Sequence, residues 1–365
     1  MLLFLAGLVL IGVVLWDAFE TIVLPRTVSR KLRLARLYFR GTWSIWSAAG
    51  RRARNDATRE RFLAIYGPFS LLGLLLVWAV ALVVGFAILQ RAADSQLVRH
   101  DGLPATFVDD LYMSGTTFVT LGLGDVYPTA GISRFFTVAE AGTGFGFLAL
   151  AIAYFPVLYQ SFSRREARLT LLDAWAGSPP AAGEVLRRLA EAHEIDALQA
   201  FLKDWEYWSS ELLESHISYP IVAFFRSQHQ RQSWVSALTT VLDVSALVIA
   251  GVEGVPAWQA RVTFAIARHA AVDLTQVLGA RLDRSEHRLS TGELEQLRAQ
   301  LEAVGLRLNA TPESDARLAE LRRSYEPYVL GLGRALAMAM PEWRHAQPVR
   351  DNWQTSPKRD GGAHL

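Results

Sequence analysis

The residues best suited to chemistry lie near the middle of the chain, in the run Thr120-Leu121-Gly122-Leu123-Gly124-Asp125. Glycines at alternate positions permit backbone dihedrals that residues with side chains resist. An extended segment with that freedom can turn each carbonyl the same way and present successive rings of oxygen. A cation shedding its water needs such rings. The carbonyls of Thr120, Leu121, Gly122, Leu123 and Gly124 are the expected ligands, with the Thr120 hydroxyl adding a ring at the inner end and Asp125 closing the outer one.

An oxygen ladder must be positioned by the elements around it. The preceding residues 106–119 read as a short helix, with Thr106 as N-cap and Asp109 at the third helical position. The run from Tyr112 to Val119 is too short and too polar to span a bilayer. A re-entrant helix fits, its negative C-terminal end aimed at the point where a dehydrating cation needs compensation. Apolar segments flank it. Residues 63–90 contain no charged residue and exceed the roughly 20 residues that cross a bilayer. Residues 135–162 carry only Glu140 and run directly into Arg164, Arg165 and Arg168. A further apolar segment, residues 1–25, opens the chain. It lacks the basic leader and small-residue cleavage site of a signal peptide, so a retained membrane helix is expected.

Charge sets the expected orientation. Residues 26–62 hold eleven Lys or Arg against Asp56 and Glu60, which places that linker inside and the N-terminus outside. The segment between the second and third spans, with Arg91 and Arg99 but also Asp94, Asp101, Asp109, Asp110 and Asp125, belongs outside. Everything after Phe162 is then cytoplasmic. In the basic linker, Leu32, Leu37, Tyr38, Trp43, Ile45 and Trp46 interleave with arginines, as in a helix lying on an anionic inner leaflet. Arg30, Lys31, Arg33, Arg36 and Arg40 are the expected lipid contacts.

The stretch Thr120 to Asp125, followed by Tyr127-Pro128, resembles the selectivity filter of potassium channels, Thr-Val-Gly-Tyr-Gly-Asp with a Tyr-Pro dipeptide after it. The likeness extends to Arg134 opening the next helix and to Gly144, which falls at the family's inner-helix hinge, and covers about Leu63 to Phe162. It implies an all-α membrane channel. Two spanning pore helices and a re-entrant pore helix with its filter are joined by an extra N-terminal helix and a cytoplasmic helical bundle. It implies K+ in the filter, held by the carbonyls of Thr120, Leu121, Gly122 and Leu123, and filter support from Tyr112, Thr116 and Glu140. One filter segment cannot enclose an ion and the chain has no second copy, so several chains must assemble. The family implies a homotetramer in the cell (inner) membrane. The sequence departs from the family at Leu123, where a tyrosine is usual. Leu or Phe occurs there in some two-pore-domain potassium channels, but the hydroxyl that helps fix filter diameter is gone, leaving a less selective cation pore open as an alternative.

The inner helix holds Gly142, Gly144 and Gly146. Small-x-x-x-small spacing at Gly142 and Gly146 predicts close helix packing, and Gly144 is the expected hinge. Glu140 lies nearly two turns in and should be paired, protonated or functional; hydrogen bonding behind the filter is expected, with pH sensing as an extension. Asp17 and Glu20 are expected to pair with the arginines that follow them.

Half the residues are apolar and a fifth charged, and mean hydropathy is positive, placing the chain among membrane proteins with a sizeable soluble part. With no cysteine there is no disulfide framework or thiolate chemistry. A net charge of +2 is too small to argue for nucleic acid. Residues 163–340 read as a helical cytoplasmic regulatory domain without strand runs. Ser178-Pro179-Pro180 is expected to cap one helix, Ser290 with Glu293 another, and Thr311-Pro312 a third. The apolar stretch 237–251, with Asp243 near its middle, reads as a buried core helix. Residues 341–365 are an expected disordered tail. No Rossmann glycine motif, cyclic-nucleotide roll or voltage-sensing arginine ladder is present. Glu214, His216, His229, His269 and Asp273 are scattered and read as ordinary helix residues. No catalytic constellation supports an enzyme, and no cofactor is expected. A membrane receptor that uses a non-conducting core to oligomerise its cytoplasmic domain is the alternative from another class.

Overall fold

The computed structural model describes residues 1–24, 33–92, 97–228, 231–285, 287–346 and 351–354. Arg30, Lys31, Leu32, Asp94, His229 and residues 347–350 and 355–365 of the expected tail lie outside the described residues; the described part of that tail is ordered, with Trp343 buried and Asp351 paired with Arg188 at 2.8 Å. The chain is mostly helical and forms two compact units, residues 1–160 and 161–365. Among the described residues, four helices are long and apolar enough to cross a membrane.

In the first unit, α1 (Leu2–Ala18) ends in a π-helical turn, Phe19–Val23. It packs on α3 (Asp56–Ala92) where two glycines meet. A Cβ on Gly85 would stand 2.7 Å from Ile11, and one on Gly7 would stand 3.0 Å from the Gly85 carbonyl. Small residues here let two backbones approach, as membrane helices require. Between them in sequence lies α2 (Leu34–Gly50). Its aromatic residues pack largely on α3: Trp46 stacks on Phe62 at 4.6 Å, Trp43 lies 4.8 Å from Tyr66, and the Tyr66 hydroxyl donates to Phe39 O at 2.9 Å. Of the described members of the expected lipid-facing set, Leu37 and Ile45 are largely exposed.

The acidic pair in the first helix divides its work. Glu20 faces Arg33 at 3.6 Å and accepts from the Trp16 indole at 2.7 Å. Asp17 instead accepts from the Ala35 backbone N–H at 3.0 Å and the Trp78 indole at 3.1 Å. It thus supplies the first turn of α2 with an acceptor that the sequence reading had assigned to an arginine.

α3 starts seven residues before the apolar run because the Asn55 side chain accepts from Thr58 N at 2.7 Å and caps it. After β1 (Leu97–Arg99), α4 (Phe107–Phe118) and β2 (Val126–Pro128), the chain enters α5 (Gly131–Ala176). The two strands, which the sequence reading lacked, pair antiparallel, with Val98 opposite Tyr127. α5 extends well past Phe162 because Ser163 to Ala176 contains no breaker, and it stops where Gly177 adopts φ +79°.

The second unit contains α6 (Ala182–Glu191), α7 (Ala197–Ser218), α8 (Trp234–Gly251), α9 (Trp258–Leu278), α10 (Thr291–Glu302) and α11 (Pro312–Leu336). Ser290 and Glu293 form a capping box on α10, and Thr311 caps α11 with Pro312 in its first turn. Ser178 does not cap α6, which starts at Ala182 behind Ala181. α8 is the fourth span-length helix, yet Trp234 to Val248 is buried inside this unit. Its Asp243, fully buried, takes a bidentate pair from Arg288 at 3.0 and 2.7 Å and a hydrogen bond from the Tyr325 hydroxyl. At the start of the unit, Arg165 donates to Val222 O at 3.0 Å and Phe225 O at 2.7 Å, beside His216. Among the described residues no group of three metal-ligating side chains converges.

Candidate ion-conduction site

Local chemistry builds α4 from its first residue. The Thr106 hydroxyl accepts from Asp109 N, and the Asp109 carboxylate returns the bond to Thr106 N at 2.7 Å, completing a capping box. Arg91, at the end of α3, reaches the Asp110 carboxylate at 2.8 Å. Two turns further on, Phe118 is buried against Phe147 of α5, with ring centroids 5.8 Å apart.

The helix ends in a motif that also launches the candidate filter. Leu121 N donates to Thr116 O at 2.7 Å and Thr120 N to Thr117 O at 3.0 Å, the paired bonds of a Schellman cap. The residue held in the left-handed region is Thr120, at φ +59°. That position ordinarily belongs to glycine, and a β-branched residue there is an outlier worth about 1–3 kcal/mol of strain. Gly122 at φ +56° and Gly124 at φ +77° continue the alternation. Every second residue from 120 to 124 is therefore left-handed, a backbone form that carries successive peptide groups round the same way. Gly122 N also reaches Thr116 O, at 3.3 Å, which ties two consecutive ladder residues to one carbonyl of the short helix.

The outer end is fixed as well. Asp125 O accepts from His100 N at 2.8 Å, and Val126 then pairs with Arg99. Tyr112 on α4 and Asp125 interact electrostatically, so an α4 side chain faces the outer end of the segment even though position 123 is leucine. Between these anchors Leu121 and Leu123 are 59% and 62% exposed on the single chain.

Behind the segment, α4 is sandwiched. Ser114 hydrogen-bonds Val83 O on α3 at 2.7 Å and also the Glu140 carboxyl on α5. Gln90 of α3 donates to Ser133 O and Thr137 Oγ1 at 3.2 Å each. Thr116, beyond its carbonyl role, donates its hydroxyl to Met113 O at 3.0 Å. Gly144 lies so close to the end of α4 that a Cβ on it would stand 2.0 Å from Phe118 O, whereas a Cβ on Gly142 or Gly146 would meet nothing within 4 Å of this chain. Within this chain the glycine that meets a neighbouring backbone is Gly144, because the face of α5 at 144 meets the end of α4 and the faces at 142 and 146 do not.

Thr120 to Asp125, Tyr112, Thr116, Glu140 and Gly144 all gather around α4. Ser114 and Val83 join them unannounced by the sequence, since a serine and one backbone carbonyl on separate helices carry no spacing signal.

Residues 72–160 match the family model described as ion channel. Over 217 residues the chain is 26% identical to the uncharacterized membrane protein YdjJ of Bacillus subtilis (strain 168), an alignment covering 55% of this chain and 58% of that protein. The chain therefore spans less than two thirds of that relative's length. No solved structure matches. The protein is a mostly helical chain with several helices long and apolar enough to cross a membrane, and its residues 72–160 are similar to an ion channel domain. Such a match suggests ion conduction.

Proposed function

We propose that this chain is one subunit of a homotetrameric, potassium-selective channel of the cell membrane. K+ passes through rings of carbonyls from Thr120, Leu121, Gly122, Leu123 and Gly124. The observation that carries the reading is the alternation of left-handed residues at 120, 122 and 124, in a segment anchored at both ends. Ordinary turns rarely hold a threonine in that conformation; a segment that must aim several carbonyls at one axis gains from it. The N-terminus lies outside, and residues from 163 onward form a cytoplasmic regulatory domain. Gly144 is the proposed hinge, and bending there must also move the end of α4. Among the described residues the anionic-lipid contact falls to Arg36 and Arg40, because Arg33 is occupied by Glu20 and Thr21; Arg30 and Lys31 stay in the proposed contact set.

The deciding experiment is the reversal potential of the purified protein in a bilayer with K+ on one side and Na+ on the other. A value near the K+ equilibrium potential supports the reading. Robust current reversing near zero favours a weakly selective pore, the outcome that Leu123 makes the second reading. No current from verified tetramers favours the receptor alternative. Gly122→Ala should abolish flux with the oligomer intact, because φ +56° is strained for alanine.

A further inference from the structure

Hydrogen counting at Ser114 fixes a proton that the sequence cannot locate. The Ser114 hydroxyl is buried between α3 and α5, with its oxygen 2.7 Å from Val83 O and in hydrogen-bond contact with Glu140 Oε1. A serine has one hydrogen to give. A backbone carbonyl has none, so the proton between Ser114 and Val83 comes from Ser114. The contact with Glu140 then lacks a proton unless the carboxyl brings it. The opposite assignment, Ser114 donating to an ionised Glu140, leaves the Val83 and Ser114 oxygens facing each other with no hydrogen between them. It also leaves a full charge on a residue that is 0% exposed, whose other oxygen has no donor among the described residues. Burying an unpaired ion costs far more than leaving one neutral carbonyl oxygen unpaired.

The charged groups nearby do not rescue an ionised Glu140. On α3, Arg91 is engaged with Asp110 of α4, and Gln90 directs its amide at Ser133 and Thr137 of α5. Arg134 of α5 reaches the Pro128 carbonyl. Ser114 is the hydrogen-bond partner found for Glu140, and no cation stands against it among the described residues.

We infer that Glu140 is a neutral acid donating to Ser114, that Ser114 passes its own hydrogen to the Val83 carbonyl, and that this one-directional chain ties three helices together behind the candidate filter. Ser114 lies two residues before Thr116, whose carbonyl holds Leu121 and Gly122. Ser114 and Glu140 are therefore positioning residues: they touch no ion, but they hold the helix from which the filter hangs. This second half rests on the channel reading; the protonation state does not.

Infrared difference spectra of the reconstituted protein at neutral pH, wild type against Glu140→Gln, test the proton directly. The wild type should show the carbonyl stretch of a protonated carboxylic acid that the variant lacks. That band should shift in Ser114→Ala, which removes the acceptor, and stay in place in Ser114→Thr, which keeps it. A difference confined to carboxylate bands overturns the inference. The positioning role is read as the K+/Na+ reversal potential. Glu140→Gln should keep it, since an amide N–H can replace the acid proton, and Ser114→Thr should keep it too. Ser114→Ala and Glu140→Ala should move it toward zero with oligomers intact. Unchanged selectivity in both alanine variants overturns the positioning role. A wild type that passes no current removes the channel reading, while the infrared result still decides the proton chain.

Discussion

Alanine at position 144 offers the sharpest test of how the inner helix meets the end of α4. The added methyl would lie 2.0 Å from Phe118 O, 2.8 Å from its carbonyl carbon and 3.0 Å from its Cα. Ordinary contact requires the two backbones to separate by roughly 1.4 Å, and neither can swing aside as a side chain would. Two terms compete. Alanine improves helix propensity over glycine by about 1 kcal/mol. Overpacking costs about 1–3 kcal/mol, here at the upper end because the obstacle is backbone. The net is a loss of about 2 kcal/mol, near thirtyfold in the folding equilibrium. At Gly142 and Gly146 only the favourable term operates within the chain. Thermal unfolding of the three purified variants in detergent, followed by tryptophan fluorescence, should therefore place Gly144→Ala below wild type and the other two at or above it. K+ flux should fall only in Gly144→Ala, since Phe118 is two residues from the filter. A Gly144→Ala protein as stable and active as wild type, with Gly142→Ala or Gly146→Ala impaired, would refute the reasoning.

Two more substitutions separate backbone from side-chain roles. Thr120→Gly relieves a left-handed β-branched residue and should raise thermal stability by about 1 kcal/mol while lowering flux, because the hydroxyl is lost; Thr120→Ser should keep most of the flux, and equal flux in both variants would deny the hydroxyl a role. In the second unit, burial first and then the Arg165 charge hold the His216 imidazole well below its ordinary value of 6.5. The unfolded chain therefore binds the extra proton, so stability is complete above about pH 6.5 and falls as acid is added, by up to about 1.4 kcal/mol per pH unit. Urea titrations at several pH values should show this slope in wild type and a smaller one in His216→Gln.

What the sequence made legible was chemistry confined to a few neighbouring residues. The Thr106–Asp109 and Ser290–Glu293 boxes need only a fixed spacing on one helix turn, and the glycines at 122 and 124 announce their own freedom. The buried reading of α8 followed from a length short for a span and a central Asp243. Contacts between distant residues left no comparable trace. Ser178-Pro179-Pro180 looked like a helix opening but lies in the turn before α6. Gly142 and Gly146 have the spacing of a packed pair, but spacing carried no sign that the end of α4 lies against Gly144. The tryptophans of α2 read as lipid-facing because alternation with arginine cannot distinguish a bilayer from the side of α3. Thr120 carried no sign of its left-handed backbone, since that conformation is imposed by the cap bonds to Thr116 and Thr117.

The buried carboxylate of α8 has a consequence for how the chain is made. A ribosome releases this helix before the residues that complete its surroundings, and its hydropathy rivals that of α5. A membrane-insertion machine meeting such a segment weighs it by composition alone. An aspartate near the helix centre raises the insertion free energy by about 2.5–3.5 kcal/mol, and its partner Arg288 emerges 45 residues later. During that interval the unpaired charge argues against lateral release into lipid. Once Arg288 and Tyr325 arrive, the same carboxylate becomes an anchor in the core, so one side chain first guards the topology of the nascent chain and afterwards stabilises its folded form.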